Sequence, residues 1–237
     1  MKGLRYSLVA AALVAGSFGA VKAQTADEIV QKYVTAIGGA ENWKKVTSVK
    51  MVGSMNAGGM EFPVTITTVK DKGFRMDLSI NGMANYQIIT PTEGWMYFPI
   101  QGQTKAEPIP AEMIKESQDQ LELQDPLVDY KAKGSKVAFL GKDAIEGTEC
   151  YKLKLTRANG KEETMYIDAN SYYHIRSVEK VKANGKEMEN TTSYSNYQKQ
   201  PEGVVFPMTI DSPEGPVTFK TVEINKSVDE KIFKPSN

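Results

Sequence analysis

The sequence predicts a mostly β, single-domain exported protein: a leader, a short helical start, then about a dozen antiparallel strands in a large curved sheet, a sandwich or a barrel. Three observations predict this. Residues 1–23 have the three parts of a secretory signal. From Val46 onward the apolar residues recur at every second position, where before they recur at helical spacing. Glycine-containing turns punctuate the alternating runs at short intervals, as antiparallel hairpins require.

The leader comes first. Lys2 and Arg5 make a positive start, residues 8–21 are almost all Leu, Val, Ala, Gly and Phe, and Val21-Lys22-Ala23 offers small residues where signal peptidases read. The apolar run holds about 14 residues, short of the roughly 20 that a spanning helix needs, so cleavage after Ala23 is expected rather than anchoring. No cysteine near the cleavage point could be lipidated, and no later run approaches spanning length. Residues 24–237 are therefore expected to form one soluble periplasmic domain. The leader carries three basic residues and no acid, leaving 26 basic against 29 acidic residues, a balance that argues against a nucleic-acid partner. It argues equally against electrostatic attraction to an anionic membrane surface.

The remaining elements follow in order. Thr25 and Glu28 have the spacing of a capping box, and the early acids suit the positive end of a helix dipole. Ile29, Val30, Tyr33 and Ile37 form an apolar stripe, Gly38-Gly39 ends the helix, and residues 40–45 around Trp43 read as a second short turn. Val49, Met51, Gly53 and Met55 then alternate with Lys50, Val52 and Ser54. Phe62, Val64 and Ile66 alternate with Thr65 and Thr67; Phe74, Met76, Leu78 and Ile80 alternate with Arg75, Asp77 and Ser79. Further strand-like runs lie near 84–90, 94–99, 136–140, 149–157, 162–168, 173–182, 187–197, 204–211 and 216–224. Turn residues fall between runs at Ala57-Gly58-Gly59, Asp71-Lys72-Gly73, Asn81-Gly82, Asn159-Gly160, Asn184-Gly185 and Pro213-Glu214-Gly215. One interruption stands out: over 108–133 the pattern is helical, with Met113, Ile114, Ser117 and Leu121 on one side. It predicts a helical insertion lying over one face of the sheet.

Residues able to carry catalysis are scarce. His174 is the sole histidine, which excludes a histidine-rich zinc site, and no GxSxG elbow accompanies it. Within Tyr172-Tyr173-His174-Ile175-Arg176 it reads as a half-exposed polar residue at a strand start. No glycine-rich phosphate loop is present. Asp125 with Asp129, and Glu162 with Glu163, read as ordinary solvated charges. Cys150, the sole cysteine, excludes an intramolecular disulfide and reads as a small buried or half-buried residue opening a strand. No catalytic residue, metal or cofactor is implied.

The apolar residues say more. Seven of the 11 methionines, Met51, Met55, Met60, Met76, Met83, Met96 and Met113, lie between positions 51 and 113, with Trp43 and Trp95 in or beside the same stretch. Methionine is flexible and polarisable and suits surfaces that accept ligands of varied shape. Such residues under a helical cover make either a greasy cavity or simply a core.

Two segments carry a resemblance. Val69-Lys70-Asp71-Lys72-Gly73-Phe74-Arg75-Met76-Asp77 places a lysine bend before a phenylalanine-led strand. Ile88-Ile89-Thr90-Pro91-Thr92-Glu93-Gly94-Trp95-Met96-Tyr97-Phe98-Pro99 runs from a glycine turn into an aromatic strand ending at proline. Gly147-Thr148-Glu149-Cys150-Tyr151-Lys152-Leu153, Met165-Tyr166-Ile167-Asp168 and a closing stretch from Ile224 to Phe233 follow in the same order. Across nearly all of 24–237 the chain thus resembles the LolA-like family of outer-membrane lipoprotein-sorting proteins. The resemblance implies an unclosed antiparallel β-barrel, a half-barrel with helices covering its concave face and a lipid-binding cavity between. The arginine that latches the lid in the carrier falls here on Asp71, a reversed charge, so the fold is implied more firmly than lipoprotein shuttling.

The expected ligand-lining residues are Val49, Met51, Met55, Phe62, Val64 and Ile66 from the first strands. Phe74, Met76, Leu78, Trp95 and Tyr97 follow from the next, and Met113, Ile114 and Leu121 come from the cover. The expected partner is a lipid or an acylated protein, and a membrane-bound envelope protein is a further candidate. The alternative is an envelope-stress-sensing or scaffolding module using the same half-barrel, which an exposed apolar patch without a deep cavity would favour.

Overall fold

A computed structural model of the protein describes residues 25–183 and 186–236; the expected leader and the Asn184-Gly185 turn lie outside them. The chain opens with α1 (Ala26–Ala36) and α2 (Ala40–Trp43). Thr25 accepts from the Glu28 N–H at 3.2 Å and Glu28 accepts from the Thr25 N–H at 3.0 Å, closing the predicted capping box. Ile29, Val30, Tyr33 and Ile37 are all buried, so the stripe faces the core as its spacing requires. Gly38 ends the helix at φ +108°, and a Cβ there would meet the Gly203 carbonyl at 2.2 Å, so only glycine lets the helix end abut the sheet.

The first run of strands is β1 (Ser48–Ala57), β2 (Met60–Val69), β3 (Gly73–Ile80), β4 (Met83–Ile89), β5 (Gly94–Tyr97) and β6 (Glu107–Pro108). The second is β7 (Lys136–Ile145), β8 (Thr148–Thr156), β9 (Glu162–Asp168), β10 (His174–Ala183), β11 (Lys186–Lys199), β12 (Val205–Asp211) and β13 (Val217–Ile224). Among the described residues they form one 13-stranded antiparallel sheet. It runs from β6 back through β5 to β1, across to β13, and back through β12 to β7. β1 and β13 join the two meanders in mid-sheet, with Met51 opposite Val222 and Met55 opposite Val217. β6 and β7 are the free edges, so the barrel does not close.

That order settles a point which periodicity leaves open. β6 and β7 are consecutive in sequence yet lie at opposite edges, so the chain between them has to cross the sheet. Only α3 (Ala111–Glu116) and a 3-10 turn at Gln118–Leu121 are helical there; the rest of the predicted helical insertion is turns. Pro108, Pro110 and Pro126 interrupt the backbone hydrogen bonding that a longer helix would need. The crossing strap nonetheless drives Leu127 and Val128 into the core at 1% and 0% exposure.

The main core lies between α1, the strap and the second run of strands. Leu153, Leu155, Met165 and Ile167 pack there against Ile29 and Tyr33. The face that α1 covers is the inner face of the half-barrel. On the outer face a C-terminal 3-10 turn, Glu230–Phe233, lies over β3 to β5. Phe233 packs flat where a Cβ on Gly73 would stand 2.6 Å from its ring. Arg75 donates to the Ile232 carbonyl at 2.8 Å and lies over the Tyr86 ring, so the closing stretch of sequence serves as a structural belt.

Candidate functional site

The inner face carries two regions of different chemistry. Toward β1, β2 and β3 it is apolar. Val64, Leu78, Met208 and Phe219 are buried there, while Met51, Met55, Phe62, Ile66, Met76 and Ile80 around them are only half-buried. Cross-strand pairing explains the surface: Met51 faces Ile66, Ile66 faces Met76 and Val64 faces Leu78, so side chains of one parity stand together on one face. The apolar surface continues to the hairpin tips, where Met60 is 55% and Met83 37% exposed. At its foot Asn85, opposite Leu78, donates to the Leu78 and Met83 carbonyls. Its Oδ1 is buried with no hydrogen-bond partner among the described residues.

The expected lining residues are therefore brought together in part. Val49 lies on the same face but in the main core, beside the apolar surface. Phe74 sits at the covered end, where Ile114 and Leu121 pack with Ile89, Ile109 and Met96; Met113 points away and is 48% exposed. Trp95 and Tyr97 are a correction. The register sets Trp95 opposite Ile88 and Tyr97 opposite Tyr86, which puts both on the outer face with Phe233, while Met96, opposite Gln87, faces inward. Their size suggested a lining, but the two-residue period of β5 turns them the other way.

The second region lies under the strap and against the second run of strands. A cavity of about 330 Å³ opens there, lined by Tyr33, Trp43, Asp125, Arg157, Glu163, His174, Tyr194, Tyr197 and Phe206, with Glu122 and Glu179 beside them. The strap thus borders two cavities: this one, on the β9–β12 side of the inner face, and one of about 550 Å³ where Gln118 and Leu121 lie beside Val46, Lys70, Asp71 and Pro91 at the ends of the first strands. His174 is 5% exposed, not half-exposed, and its pKa is lowered to about 4 by burial. Its Nε2 lies 2.8 Å from the Arg176 carbonyl, which can only accept, so Nε2 carries the proton and the ring is neutral. The ring packs against Tyr194 at 4.7 Å between centroids.

The carboxylates here are not solvated in the ordinary way. Asp125 accepts hydrogen bonds from the Tyr33 hydroxyl and, at 2.9 Å, from the Leu127 N–H. Burial pushes its pKa up against those bonds. Glu163, 7% exposed, accepts from the Ser177 hydroxyl and lies 3.5 Å from the Arg157 guanidinium. Glu179 lies at the rim, exposed to water, and is raised by its partial burial and then by the charge of Glu163. Burial drives the Tyr194 hydroxyl up to about 12 and that of Tyr197 higher still. Asp129 and Glu162 are exposed, as expected.

Ser177, His174 and Glu163 stand together without forming a hydrolase triad. Serine donates to the carboxylate directly, and the histidine nitrogen facing it, 3.0 Å away, already carries the proton it would have to accept. Among the described residues no group of three or more His, Cys, Asp or Glu is placed to hold a metal ion. Sequence reasoning missed this cluster because its members come from α1, the strap, β9, β10 and β11, elements whose adjacency only the sheet order reveals.

No family model matches the chain, and no curated protein matches it. Solved structures do. A LolA superfamily protein from Nitrosomonas europaea superposes with a TM-score of 0.54 at 12% identity, over 90% of this chain and 98% of that one. A DUF1329 family protein from Desulfovibrio piger gives 0.56 at 12% identity, over 89% and 98%. A domain assigned to outer-membrane lipoprotein sorting, from Vibrio parahaemolyticus, gives 0.52 at 13% identity, over 87% and 94%. The chain has the LolA-like fold.

Proposed function

We propose that the protein is a periplasmic, non-catalytic carrier that binds the acyl chain of a lipid or lipoprotein along the apolar inner face of β1, β2 and β3. One observation carries this reading. Met51, Met55, Phe62, Ile66, Met76 and Ile80 remain half-buried on the inside of the half-barrel, while Ile114 and Leu121 of the strap pack with Phe74, Ile89 and Met96. Apolar surface left in that state gains about 0.8 kcal/mol for each CH₂ it removes from water, so a flexible hydrocarbon chain is a fitting occupant. The abundance of methionine lets the face adapt to chains of different shape. The likeness in fold to a domain assigned to lipoprotein sorting supports the same class of cargo.

A second reading rests on the exposed tips. Met60 and Met83 stand out into water, where an envelope protein could dock, as a scaffolding or stress-sensing module would require. The two readings separate on one experiment. Displacement of a fluorescent fatty acid is measured for the wild type, for Met76→Glu, and for Lys220→Glu on the exposed outer side of β13. A carboxylate within the apolar face cannot be desolvated cheaply, so Met76→Glu should weaken binding by at least about a hundredfold, with Lys220→Glu unchanged. Absence of binding by the wild type sinks the carrier reading and leaves the docking one.

A further inference from the structure

We propose that the cavity beneath the strap binds a primary ammonium group, so that the cargo is an amphiphile with an amine-bearing head. This rests on the carrier reading for the tail and adds the head. His174 provides the first observation. With its Nε2 proton committed to the Arg176 carbonyl, Nδ1 is a bare acceptor; it has no hydrogen-bond partner among the described residues, in a side chain 5% exposed that lines the cavity. The atom is not sealed in protein, since among the described residues Asn85 Oδ1 alone is fully buried without a partner; Nδ1 opens on the cavity, where a donor from outside the chain can reach it. An ammonium N–H is such a donor; a sulfate, phosphate ester or carboxylate is not.

Charge balance points the same way. Asp125, Glu163, Glu122 and Glu179 border the cavity, against Arg157 within it and Lys133, which pairs with Glu122 from outside. Arg157 is divided between Glu122 at 3.9 Å and Glu163 at 3.5 Å, so it is already offset. The carboxylates thus exceed the cations; burial raises Asp125 and Glu179 toward their neutral forms and the charge of Glu163 raises both further, with Arg157 and Lys161 only partly opposing this at Glu179. The walls between them are aromatic: Tyr33, Trp43, Tyr194, Tyr197 and Phe206. Ring faces combined with carboxylates are the usual surroundings of a bound ammonium.

The cavity also joins the apolar face. Phe206 lines the cavity and packs against the cluster of Met208, on the same strand, and Phe219, on the neighbouring β13. One ligand can therefore place its head by His174 and its tail along the half-buried Met51, Met55 and Phe62 that surround them.

The test compares four twelve-carbon probes below their micelle concentrations by titration calorimetry: dodecanol, dodecylammonium, dodecyltrimethylammonium and dodecyl sulfate. Dodecylammonium should bind about tenfold more tightly than dodecanol. The trimethyl head, which has no N–H, should fall between them, and sulfate should bind weakest. Asp125→Asn with Glu179→Gln should remove the preference while leaving dodecanol unchanged; retained thermal unfolding would show that the variant folds. Equal binding of dodecanol and dodecylammonium, or a preference that survives the double substitution, overturns the ammonium site and leaves the apolar-face reading standing. Failure of dodecanol and dodecylammonium alike overturns both. Binding of butylammonium, which lacks the tail, without any binding of dodecanol would keep the site and overturn only the apolar-face reading.

Discussion

The β8–β9 end of the inner face and the β1–β3 end belong to one sheet, face the same interior and are both lined by large apolar side chains, yet they are filled differently. At the first end Leu153, Leu155, Met165 and Ile167 are sealed at 0% exposure beneath α1 and the strap. At the other, Met51, Met55, Met76 and Ile80 lie half-open, with Ile114 and Leu121 of the strap's helical part resting on Phe74, Ile89 and Met96. The difference teaches where stability and function separate. Met165 apart, the sealed end is branched and aromatic, shapes that lock into one packing; the open end is methionine-rich, a side chain whose three rotatable bonds tolerate changing neighbours. Between the two ends sits the polar cavity around His174.

The largest expected effect tests that division directly. Leu153→Ala removes a side chain from a filled environment and should cost about 4 kcal/mol in urea unfolding. Met76→Ala, which trims a half-exposed chain, should cost about 1 kcal/mol, because little of its surface is removed from water and solvent can enter the space left. Equal costs would mean that the open end is simply an ordinary core, and the carrier reading would lose its physical basis.

The next effect concerns the cavity between the ends. His174 is neutral when folded, with a pKa of about 4 against 6.5 for a free side chain. Between those values the unfolded chain binds a proton that the folded chain refuses, so stability is full above pH 6.5 and declines as pH falls toward 4. The complete decline amounts to at most roughly 3 kcal/mol. Asp125 and Glu179, raised by burial, work in the opposite sense, since their folded forms take up protons first as pH falls. The clean measurement is therefore the difference between the wild type and His174→Gln, by urea unfolding at several values of pH. The variant should lose less stability on acidification than the wild type. Parallel curves would show that His174 is not held neutral by its surroundings.

Much of this architecture was legible in the sequence. The α1 stripe, its capping box and the strand alternation each depend on spacing within one element, and the structure has them where the spacing places them. So was the parity of Phe74, Met76 and Leu78 against Arg75 and Asp77. What was not legible depends on which elements become neighbours. The pairing of β1 with β13 and the crossing of the strap follow from sheet order, which no local period encodes. His174 looked like a half-exposed strand opener because its sequence neighbours are ordinary; its burial comes from Tyr194 on β11 and Asp125 on the strap, distant in the chain. Trp95 and Tyr97 failed differently. Their alternation with Met96 was visible, but which parity faced inward required the register with β4.

The smallest effect comes from the convex side of the sealed end. Cys150 alternates with Tyr151 and Leu153, so while those two fill the inner core it faces the other way, yet it is 0% exposed and its Sγ lies 3.4 Å from the Thr148 carbonyl. Burial, and then the charge of Asp168, push its thiol pKa up, which removes the thiolate that alkylating reagents attack. Native protein should therefore react with a maleimide far more slowly than the same protein in denaturant. Replacing a small buried thiol by alanine deletes one heavy atom from a site between hairpin strands, so Cys150→Ala should cost about 1 kcal/mol or less and leave dodecanol binding within twofold of the wild type. Loss of binding in a variant that still unfolds cooperatively would mean that the sealed and open ends are coupled through the sheet. Rapid labelling would mean that β8 opens in the native state, and that the sealed end is less closed than its packing implies.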